Sequence, residues 1–329
     1  MESLTKNHQD LDTLTALVER AFGKEAIPRN GIEVTEMTEG WFNVAYNISL
    51  ADGRQVVLKI APPAHIPVLT RERGMMRAEL AAMALIEEHT SVPIPQVYAA
   101  DLTHELIDAD YFFMEFIEGF NFGLAIEDGT LSQEVAASGN RQLGRLNREI
   151  NSVTAERFGN VTGPQFDRWS DAFMQIVEGV FADAAPVDID LGWSVDELRA
   201  VFVDHRAVLD EVRVPRLVEV DLWAKNSIMR DGVLVALLDH ERAIFGDPLM
   251  EGGLTGLDAP EFGDPTDFMA GFGLESLTES ETIRRRLYTL QLGIIMAVET
   301  KYRGHTTSEV YDLARRVIDQ VMAALGRAR

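Results

Sequence analysis

The sequence predicts an α+β protein of two lobes, a small antiparallel β-sheet lobe over residues 1–117 and a larger, mainly helical lobe over residues 118–329. Short β-rich runs dominate the first part of the chain, and long stretches with apolar side chains at helical spacing follow it. The length of 329 residues and the 46% hydrophobic composition are ample for a buried core. We expect the boundary between the lobes at 117–120.

The small lobe is predicted to contain five strands and two helices. The strands are expected over residues 32–36, 43–50, 54–60, 96–101 and 111–117. The helices are expected over residues 11–22 and 71–88, where apolar side chains recur three and four positions apart. The turn Ala51-Asp52-Gly53 joins the second strand to the third, since glycine easily takes the positive φ of a hairpin turn. Lys59 therefore lies near the end of a hairpin's second strand.

The large lobe is predicted to be helical except for one compact β-rich piece at residues 214–242. Helical spacing of apolar side chains is clearest over residues 287–302 and 310–325. The sequence contains neither an internal repeat nor a low-complexity tract. The β-rich piece therefore stands out as the place where a site would be built on strand ends.

Acidic side chains outnumber basic ones by 53 to 30, which gives a formal net charge of −23. This balance argues against a nucleic-acid partner and against docking on anionic lipid, because both need a basic surface. With no cysteine in the chain, a disulfide, a thiolate zinc site and a cysteine nucleophile are excluded. The N-terminal residues lack a signal-peptide pattern and no apolar run reaches the roughly 18 residues of a membrane span. We therefore expect a cytoplasmic protein.

Three oxygen-bearing side chains are expected to converge at strand ends in the β-rich piece. An apolar strand leads to Asp221, Asn226 follows five positions later, and a second apolar strand leads to Asp239. One aspartate that deprotonates a hydroxyl, together with an asparagine and a second aspartate that bind Mg²⁺, suits phosphoryl transfer. A lone D-x-x-x-x-N pattern would be weak evidence, since an aspartate that caps a helix near an asparagine is common.

The joint pattern resembles the aminoglycoside phosphotransferase family of small-molecule kinases, which has a protein-kinase-like fold. The residues that carry the resemblance are D-x-x-x-x-N from Asp221, the sequence Leu238-Asp239-His240-Glu241, and Phe245-Gly246-Asp247-Pro248. The resemblance covers nearly the whole chain. It implies transfer of the γ-phosphoryl group of ATP, with Mg²⁺, to a hydroxyl of a small molecule. GTP is an open alternative, since a hinge that uses backbone atoms accepts either base.

The resemblance also assigns roles to individual residues. It makes Asp221 the catalytic base and Asn226 and Asp239 the metal ligands. For the nucleotide it implies a phosphate-binding Lys59 with Glu79 as its partner, a phosphate-covering loop at Gly40-Trp41-Phe42-Asn43, and a hinge at Met114, Glu115, Phe116 and Ile117. Glu241 would be an acid that supports the metal ligands or faces the acceptor, with a surface acid or a partner for Arg242 as the alternative. Trp223 is a further candidate for contact with the acceptor.

Three positions depart from the family pattern. Glu219 and Val220 stand where the family has His and Gly before the catalytic aspartate, and Asn147 stands where it commonly has His. These departures leave open a nucleotide-binding pseudokinase with a sensing or scaffold role. A protein kinase is less favoured, because Asp239 is followed by His240-Glu241 and not by the D-F-G sequence of an activation segment.

The acidic excess of the large lobe lies in two windows without any Lys or Arg. Residues 169–197 carry seven acids, and residues 243–283 carry nine. A wall of carboxylates beside the acceptor would hold a cationic, aminoglycoside-like or amino-sugar compound by charge-assisted hydrogen bonds. The alternatives are a solvated loop surface and, for the acceptor, another metabolite such as a neutral sugar, an amino alcohol or a macrolide.

Overall fold

The computed structural model of the protein describes residues 5–38, 40 and 42–327. The backbone forms two compact units. The first contains the described residues up to Pro67 together with Ile94–Glu118, and the second contains Val68–Pro93 together with the described residues from Gly119 onward. The second unit takes in a segment that the sequence assigned to the small lobe, so these units differ from the expected lobes, whose boundary stays a proposal.

The first unit is built on a five-stranded antiparallel sheet with the strand order β1-β2-β3-β5-β4. Its elements are α1 (Leu11–Phe22), β1 (Glu33–Met37), β2 (Val44–Ser49), β3 (Gln55–Ile60), β4 (Val97–Asp101) and β5 (Tyr111–Glu115). The expected helix and five strands are confirmed, with ends that differ by one or two residues. The hairpin of β2 and β3 pairs Ala45 with Lys59.

The core of the first unit lies between α1 and the sheet. Asp10 caps α1 by accepting a hydrogen bond from the backbone N–H of Thr13, at 2.7 Å. The helix buries Leu14, Leu17 and Val18 in the same apolar cluster as side chains of the strands. Buried and half-buried residues alternate along β2, because one face of this strand meets the core.

The second unit is mainly helical. Its helices are α2 (Met75–His89), α3 (Phe122–Glu127), α4 (Gln133–Ile150), α5 (Trp169–Ala184), α6 (Val195–Asp204), α7 (Arg206–Leu209), α8 (Thr266–Phe272), α9 (Glu279–Tyr302) and α10 (Glu309–Ala324). Helix α2 begins four residues later than expected, because Gly74 takes a left-handed φ of 73° just before it. Helices α4 and α8 pack closely where Gly144 lies, since a Cβ there would be 2.1 Å from the carbonyl oxygen of Phe268.

Two small antiparallel sheets complete the second unit. Their strands are β6 (Phe120–Asn121), β7 (Phe158–Asn160), β8 (Gln165–Phe166), β9 (Arg216–Val218), β10 (Ser227–Arg230), β11 (Val233–Leu237) and β12 (Ile244–Gly246). One sheet has the order β11-β10-β6 and the other β8-β7-β12-β9. The expected β-rich piece is confirmed as β9 to β11, which end in the loops that carry Asp221 and Asp239.

None of the helices in the described ranges is both long and apolar enough to cross a bilayer.

Candidate active site

The loops after β9 and β11 are tied to each other through Asn226. The side-chain amide of Asn226 donates to the backbone carbonyl oxygen of Asp221 at 2.9 Å. The backbone carbonyl oxygen of Asn226 accepts from the N–H of Leu238, also at 2.9 Å. The first bond uses the amide nitrogen of Asn226, so the amide oxygen is the atom of that side chain that could bind a metal ion. The structure therefore brings Asp221, Asn226 and Asp239 together, as their spacing in the sequence predicts.

A tight turn presents Asp221. Val220 has a φ of 64°, and the N–H of Asp221 donates to the carbonyl oxygen of Glu219 at 2.7 Å. A positive φ is costly for a β-branched residue and cheap for glycine, the residue that the family has at this position. Val220 therefore adopts the left-handed conformation that suits glycine, and its backbone is strained.

The carboxylate of Asp221 borders a cavity and pairs with an arginine. Its side chain is 34% exposed, and Oδ2 lies 3.0 Å from Nη1 of Arg242. Burial raises the pKa of Asp221 above its usual range, although the guanidinium of Arg242 opposes this shift. A carboxylate with these surroundings can accept a proton from a hydroxyl bound in the cavity.

Three carboxylates meet beside this turn. Ligand oxygens of Glu79, Asp239 and Glu241 all lie within 4.8 Å of one another, and Glu79 and Glu241 are buried. Hard carboxylate oxygens are ligands that Mg²⁺ prefers, so this set fits such an ion. The backbone of Asn226 is bonded to Leu238, the residue before Asp239. Sequence reasoning named Asn226 and Asp239 as ligands but gave Glu79 and Glu241 other roles.

A buried ion pair lies behind the two loops. Nδ1 of His240 is 2.8 Å from Oε2 of Glu219, and Nε2 of His240 is 3.2 Å from the carbonyl oxygen of Leu237. Because both ring nitrogens face acceptors, the geometry calls for the doubly protonated imidazolium. Burial pushes the pKa of His240 down, but the charge and hydrogen bond of Glu219, the charge of Glu79 and the bond to Leu237 together leave this pKa above its ordinary value. Sequence reasoning missed the pair, because its members are 21 positions apart.

A second buried acid extends this network. Oε1 of Glu251 accepts from the backbone N–H of Glu219 at 3.1 Å and from the side-chain amide of Asn151 at 2.9 Å. The amide of Asn151 also donates to the carbonyl oxygen of Leu217, at 2.7 Å. Burial raises the pKa of Glu251 to about 7. The strand end before Asp221 is therefore fixed by polar groups that are almost fully removed from water.

The cavity beside Asp221 has a volume of about 270 Å³ and mixed walls. Apolar side chains form most of the walls, among them Leu143, Trp223, Phe262, Phe268 and Ile295. The guanidinium groups of Arg71 and Arg242 line it as well. Trp223, an expected acceptor contact, therefore borders the cavity, whereas Glu241 belongs to the carboxylate group of Glu79 and Asp239.

The acids of the two base-free windows do not form a wall around this cavity. Within the described part of the chain, Asp264 is the one acid of these windows that lines it. Many of the others pair with arginines from elsewhere: Asp171 with Arg206, Glu178 and Asp196 with Arg199, Asp190 with Arg315, Asp247 with Arg284, Asp258 with Arg285, and Asp267 with Arg141. These pairs involve seven of the sixteen acids in the two windows, six of them with an arginine at least 21 positions away, so the expected concentration of negative charge at an acceptor site is not found.

The expected nucleotide-binding residues lie in the first unit, except for Glu79, which is buried on α2 of the second unit. Lys59 is buried on β3, and Met114 and Glu115 are the last two residues of β5. The N–H of Glu115 already donates to the carbonyl oxygen of Gln96 at 2.8 Å.

The remaining hinge and loop residues lie outside the strands. Phe116 and Ile117 follow the end of β5, and Asn43 is buried just before β2. Gly40 is exposed, and Trp41 lies outside the described residues.

The first unit is a β-sheet with a buried lysine, and the second is a mainly helical unit that presents an aspartate, an asparagine and a group of carboxylates. These are the parts of a protein-kinase-like phosphotransferase. The model of the phosphotransferase enzyme family matches residues 33–277, about three quarters of the sequence. The chain belongs to this family.

Solved structures with the same fold cover almost the whole chain. Aminoglycoside phosphotransferase APH(4)-Ia in a ternary complex with AMP-PNP and hygromycin B has a TM-score of 0.67 and 18% identity, over 95% of this chain and 98% of that one. A candidate fructosamine-3-kinase from Thermobifida fusca YX-ER1 has a TM-score of 0.67 and 16% identity, over 95% and 100%. The streptomycin-ATP complex of APH(2")-IIa has a TM-score of 0.60 and 15% identity, over 96% and 98%.

A curated relative shares only a short segment with this chain. The subtelomeric hrmA-associated cluster protein of Aspergillus fumigatus is 29% identical over 88 residues, which is 26% of this chain and 16% of that protein. The match therefore covers a small part of that protein's length and carries no assignment of activity.

Proposed function

We propose that the protein transfers the γ-phosphoryl group of ATP, with Mg²⁺, to a hydroxyl of a small molecule bound in the cavity beside Asp221. The observation that carries this proposal is the position of the Asp221 carboxylate, which borders the cavity and is near enough to Asp239, one of the three grouped carboxylates, for the charge of Asp239 to raise its pKa. A base beside an acceptor pocket and a set of hard oxygen ligands are the two parts that phosphoryl transfer needs from a protein.

In the proposed reaction Asp221 orients the acceptor hydroxyl and takes its proton. The acceptor oxygen forms a bond to the γ-phosphorus, the bond from that phosphorus to the β,γ-bridging oxygen breaks, and ADP leaves. Arg242 holds the Asp221 carboxylate from one side at 3.0 Å, which fixes its direction without protonating it. Asp239, Glu241 and the amide oxygen of Asn226 would hold Mg²⁺, which would neutralise charge on the transferred phosphoryl group.

The nucleotide contacts remain proposals that rest on the family resemblance. Lys59 would hold the α- and β-phosphates with Glu79 as its partner, and the loop from Gly40 to Asn43 would cover them. Phe116 and Ile117, which follow the end of β5, would contact the base. Nucleotide complexes of solved relatives, one with AMP-PNP and one with ATP, support the expectation of ATP.

The retained turn at Val220 favours catalysis over a pseudokinase role. The left-handed turn before Asp221 is present although valine makes it costly, and backbone strain of this kind is typical of functional sites. An amino sugar is a candidate for the acceptor of this phosphoryl transfer. The complexes of solved relatives with hygromycin B and with streptomycin favour it.

A coupled ADP-release assay over amino sugars, neutral sugars, amino alcohols, hydroxy acids and macrolides tests the activity. The wild-type protein should release ADP with at least one acceptor, and Asp221→Asn should slow that release by about 10²–10⁴-fold. Asp231→Asn, which makes the same chemical change at an exposed turn between β10 and β11, is the matched control. Equal rates for wild type and Asp221→Asn with every acceptor would refute the role of Asp221.

A further inference from the structure

The charged side chains beside Asp221 in the cavity wall balance one another. Arg242 pairs with Asp221 at 3.0 Å, and Arg71 lies 3.4 Å from Glu299. The charges of Asp221 and Glu299 each stabilise the charged form of both guanidinium groups. Neither arginine therefore offers an uncompensated positive charge to a ligand.

The two other charged groups in the walls add no ionic subsite. Arg285 is buried and pairs with Asp258 at 3.3 Å. Asp264 is exposed, and its carboxylate accepts hydrogen bonds from the N–H and the hydroxyl of Thr266, at 2.9 and 2.5 Å. An exposed carboxylate is screened by water and holds a cation only weakly. Among the described residues, the cavity thus has no unpaired cation for an acid and one solvent-screened carboxylate for an amine.

Buried apolar side chains form much of the cavity wall, among them Leu143, Met250, Phe268 and Ile295. The ring of Phe268 packs directly on Gly253, where a Cβ would lie 2.5 Å from that ring. Gly256 approaches the carbonyl oxygen of Gly263 so closely that a Cβ would lie 1.9 Å from it. These contacts fix the chain over residues 252–265, so the apolar wall is formed before a ligand binds.

Two aromatic side chains in the walls are open to water. Trp223 is 43% exposed and Phe262 is 41% exposed. Large apolar surface beside a cavity favours contact with a ligand, because binding removes that surface from water. Aromatic rings also stack on other rings. An apolar body would therefore gain affinity here, whereas an ionic group would lose its hydration without gaining a partner.

We infer that the acceptor is a compact, uncharged alcohol with an apolar body that contains a ring. This inference rests on the proposed function, because it names the acceptor class of that same site. The hydroxyl would lie at Asp221, and the body would pack against Phe262 and Phe268. The volume of about 270 Å³ limits that body, since pockets for drug-sized ligands begin at about 300 Å³. Such an acceptor differs from an amino sugar, whose ammonium groups need unpaired acids.

Isothermal titration calorimetry without nucleotide tests the charge of the ligand separately from catalysis. The probes are 3-phenylpropane-1,2-diol, phenylalaninol and 3-phenyllactate, which share a benzyl group and a hydroxyl but carry no charge, an ammonium and a carboxylate. We expect the diol to bind at least about tenfold more tightly than either charged probe. Equal or tighter binding of phenylalaninol or 3-phenyllactate, or no heat from the diol at about 10 mM, overturns the inference.

The apolar body is tested by removing the ring from the probe and from the wall. Propane-1,2-diol should bind at least about tenfold more weakly than 3-phenylpropane-1,2-diol, because it buries no ring. Phe262→Ala should weaken binding of the phenyl diol by about tenfold, for the same reason.

Phe120→Ala is the matched control for Phe262→Ala. Phe120 is also 41% exposed but does not line the cavity, so its removal should leave the affinity for the phenyl diol unchanged. Equal affinities for the two diols overturn the apolar body. An unchanged affinity in Phe262→Ala, or an equal loss in Phe120→Ala, overturns its placement at Phe262.

ADP release with the same probes separates the two proposals. A preference for the uncharged probe in calorimetry, without phosphoryl transfer to any acceptor, would contradict the proposed function and leave the apolar site standing. Transfer to amino sugars together with weak binding of the phenyl diol would do the reverse.

Discussion

The buried pair of Glu219 and His240 gives the sharpest prediction about the catalytic loops. Both side chains are about 1% exposed, and the pair joins the turn before Asp221 to the residue after Asp239. Glu219→Gln keeps the shape of the side chain but removes the charge that balances the imidazolium. The remaining charge is then buried without an ionic partner, which is the costly case for a buried ion pair.

The size of the effect follows from the length of the chain. Removal of one partner of a buried pair costs about 3–5 kcal/mol of the free energy of unfolding. An unfolding entropy of about 2.1 cal/mol/K per residue over 329 residues amounts to ~0.7 kcal/mol/K. We therefore expect Glu219→Gln to lower Tm by about 4–7 °C, measured by differential scanning calorimetry.

A double-mutant cycle separates the pair from general damage. His240→Gln alone should cost a similar amount, and the double variant should cost clearly less than the sum of the two, because neither charge is then left alone. Glu275→Gln, at an exposed position, is the matched control and should leave Tm within about 1 °C. Additive costs, or single variants as stable as the control, would refute the ion pair as a link between the loops.

Three further changes test the surroundings of Asp221. Val220→Gly should keep or raise Tm, because it relieves a φ of 64° that costs a β-branched residue about 1–2 kcal/mol; a Tm loss of several degrees would contradict the stored strain. Gly252→Ala should lower kcat about tenfold with little change in Tm. A Cβ at this position would lie 3.2 Å from the carbonyl oxygen of Val220 and would shift the turn before Asp221. An unchanged kcat would show that catalysis does not need that turn geometry. Glu251 has a pKa of about 7 in the folded state and 4.5 in the unfolded state. Between pH 4.5 and 7 its carboxyl is protonated only in the folded state, so the free energy of unfolding falls as pH rises. Glu251→Gln should remove that fall, and pH-dependent denaturation curves identical to wild type would contradict it.

The sequence predicted those parts of the fold that depend on interactions between neighbouring residues, such as helix bounds and a hairpin turn. The bounds of α1 and the hairpin that carries Lys59 follow from apolar spacing and from one glycine turn. The convergence of Asp221, Asn226 and Asp239 followed from their positions at the ends of apolar strands. Helix α2 began later than expected because periodicity does not register the left-handed Gly74.

Long-range pairing decided the features that the sequence could not predict. Several acids of the two base-free windows pair with arginines far along the chain, such as Asp190 with Arg315 and Asp247 with Arg284. A window count of charge therefore indicates composition, not the potential at a site. The sequence did not predict the partner of Glu219 for the same reason. Glu219 stands where the family has a histidine, and its charge is balanced by His240, 21 positions later.

The proposed transfer of a phosphoryl group is tested most directly by following the label from γ-³²P ATP into an organic product. With a turned-over acceptor, the wild-type protein should yield labelled phosphate ester, and Asp221→Asn should yield about 10²–10⁴-fold less in the same time. Label that appears only as inorganic phosphate, or equal ester formation by both proteins, would contradict transfer to a hydroxyl with Asp221 as the base.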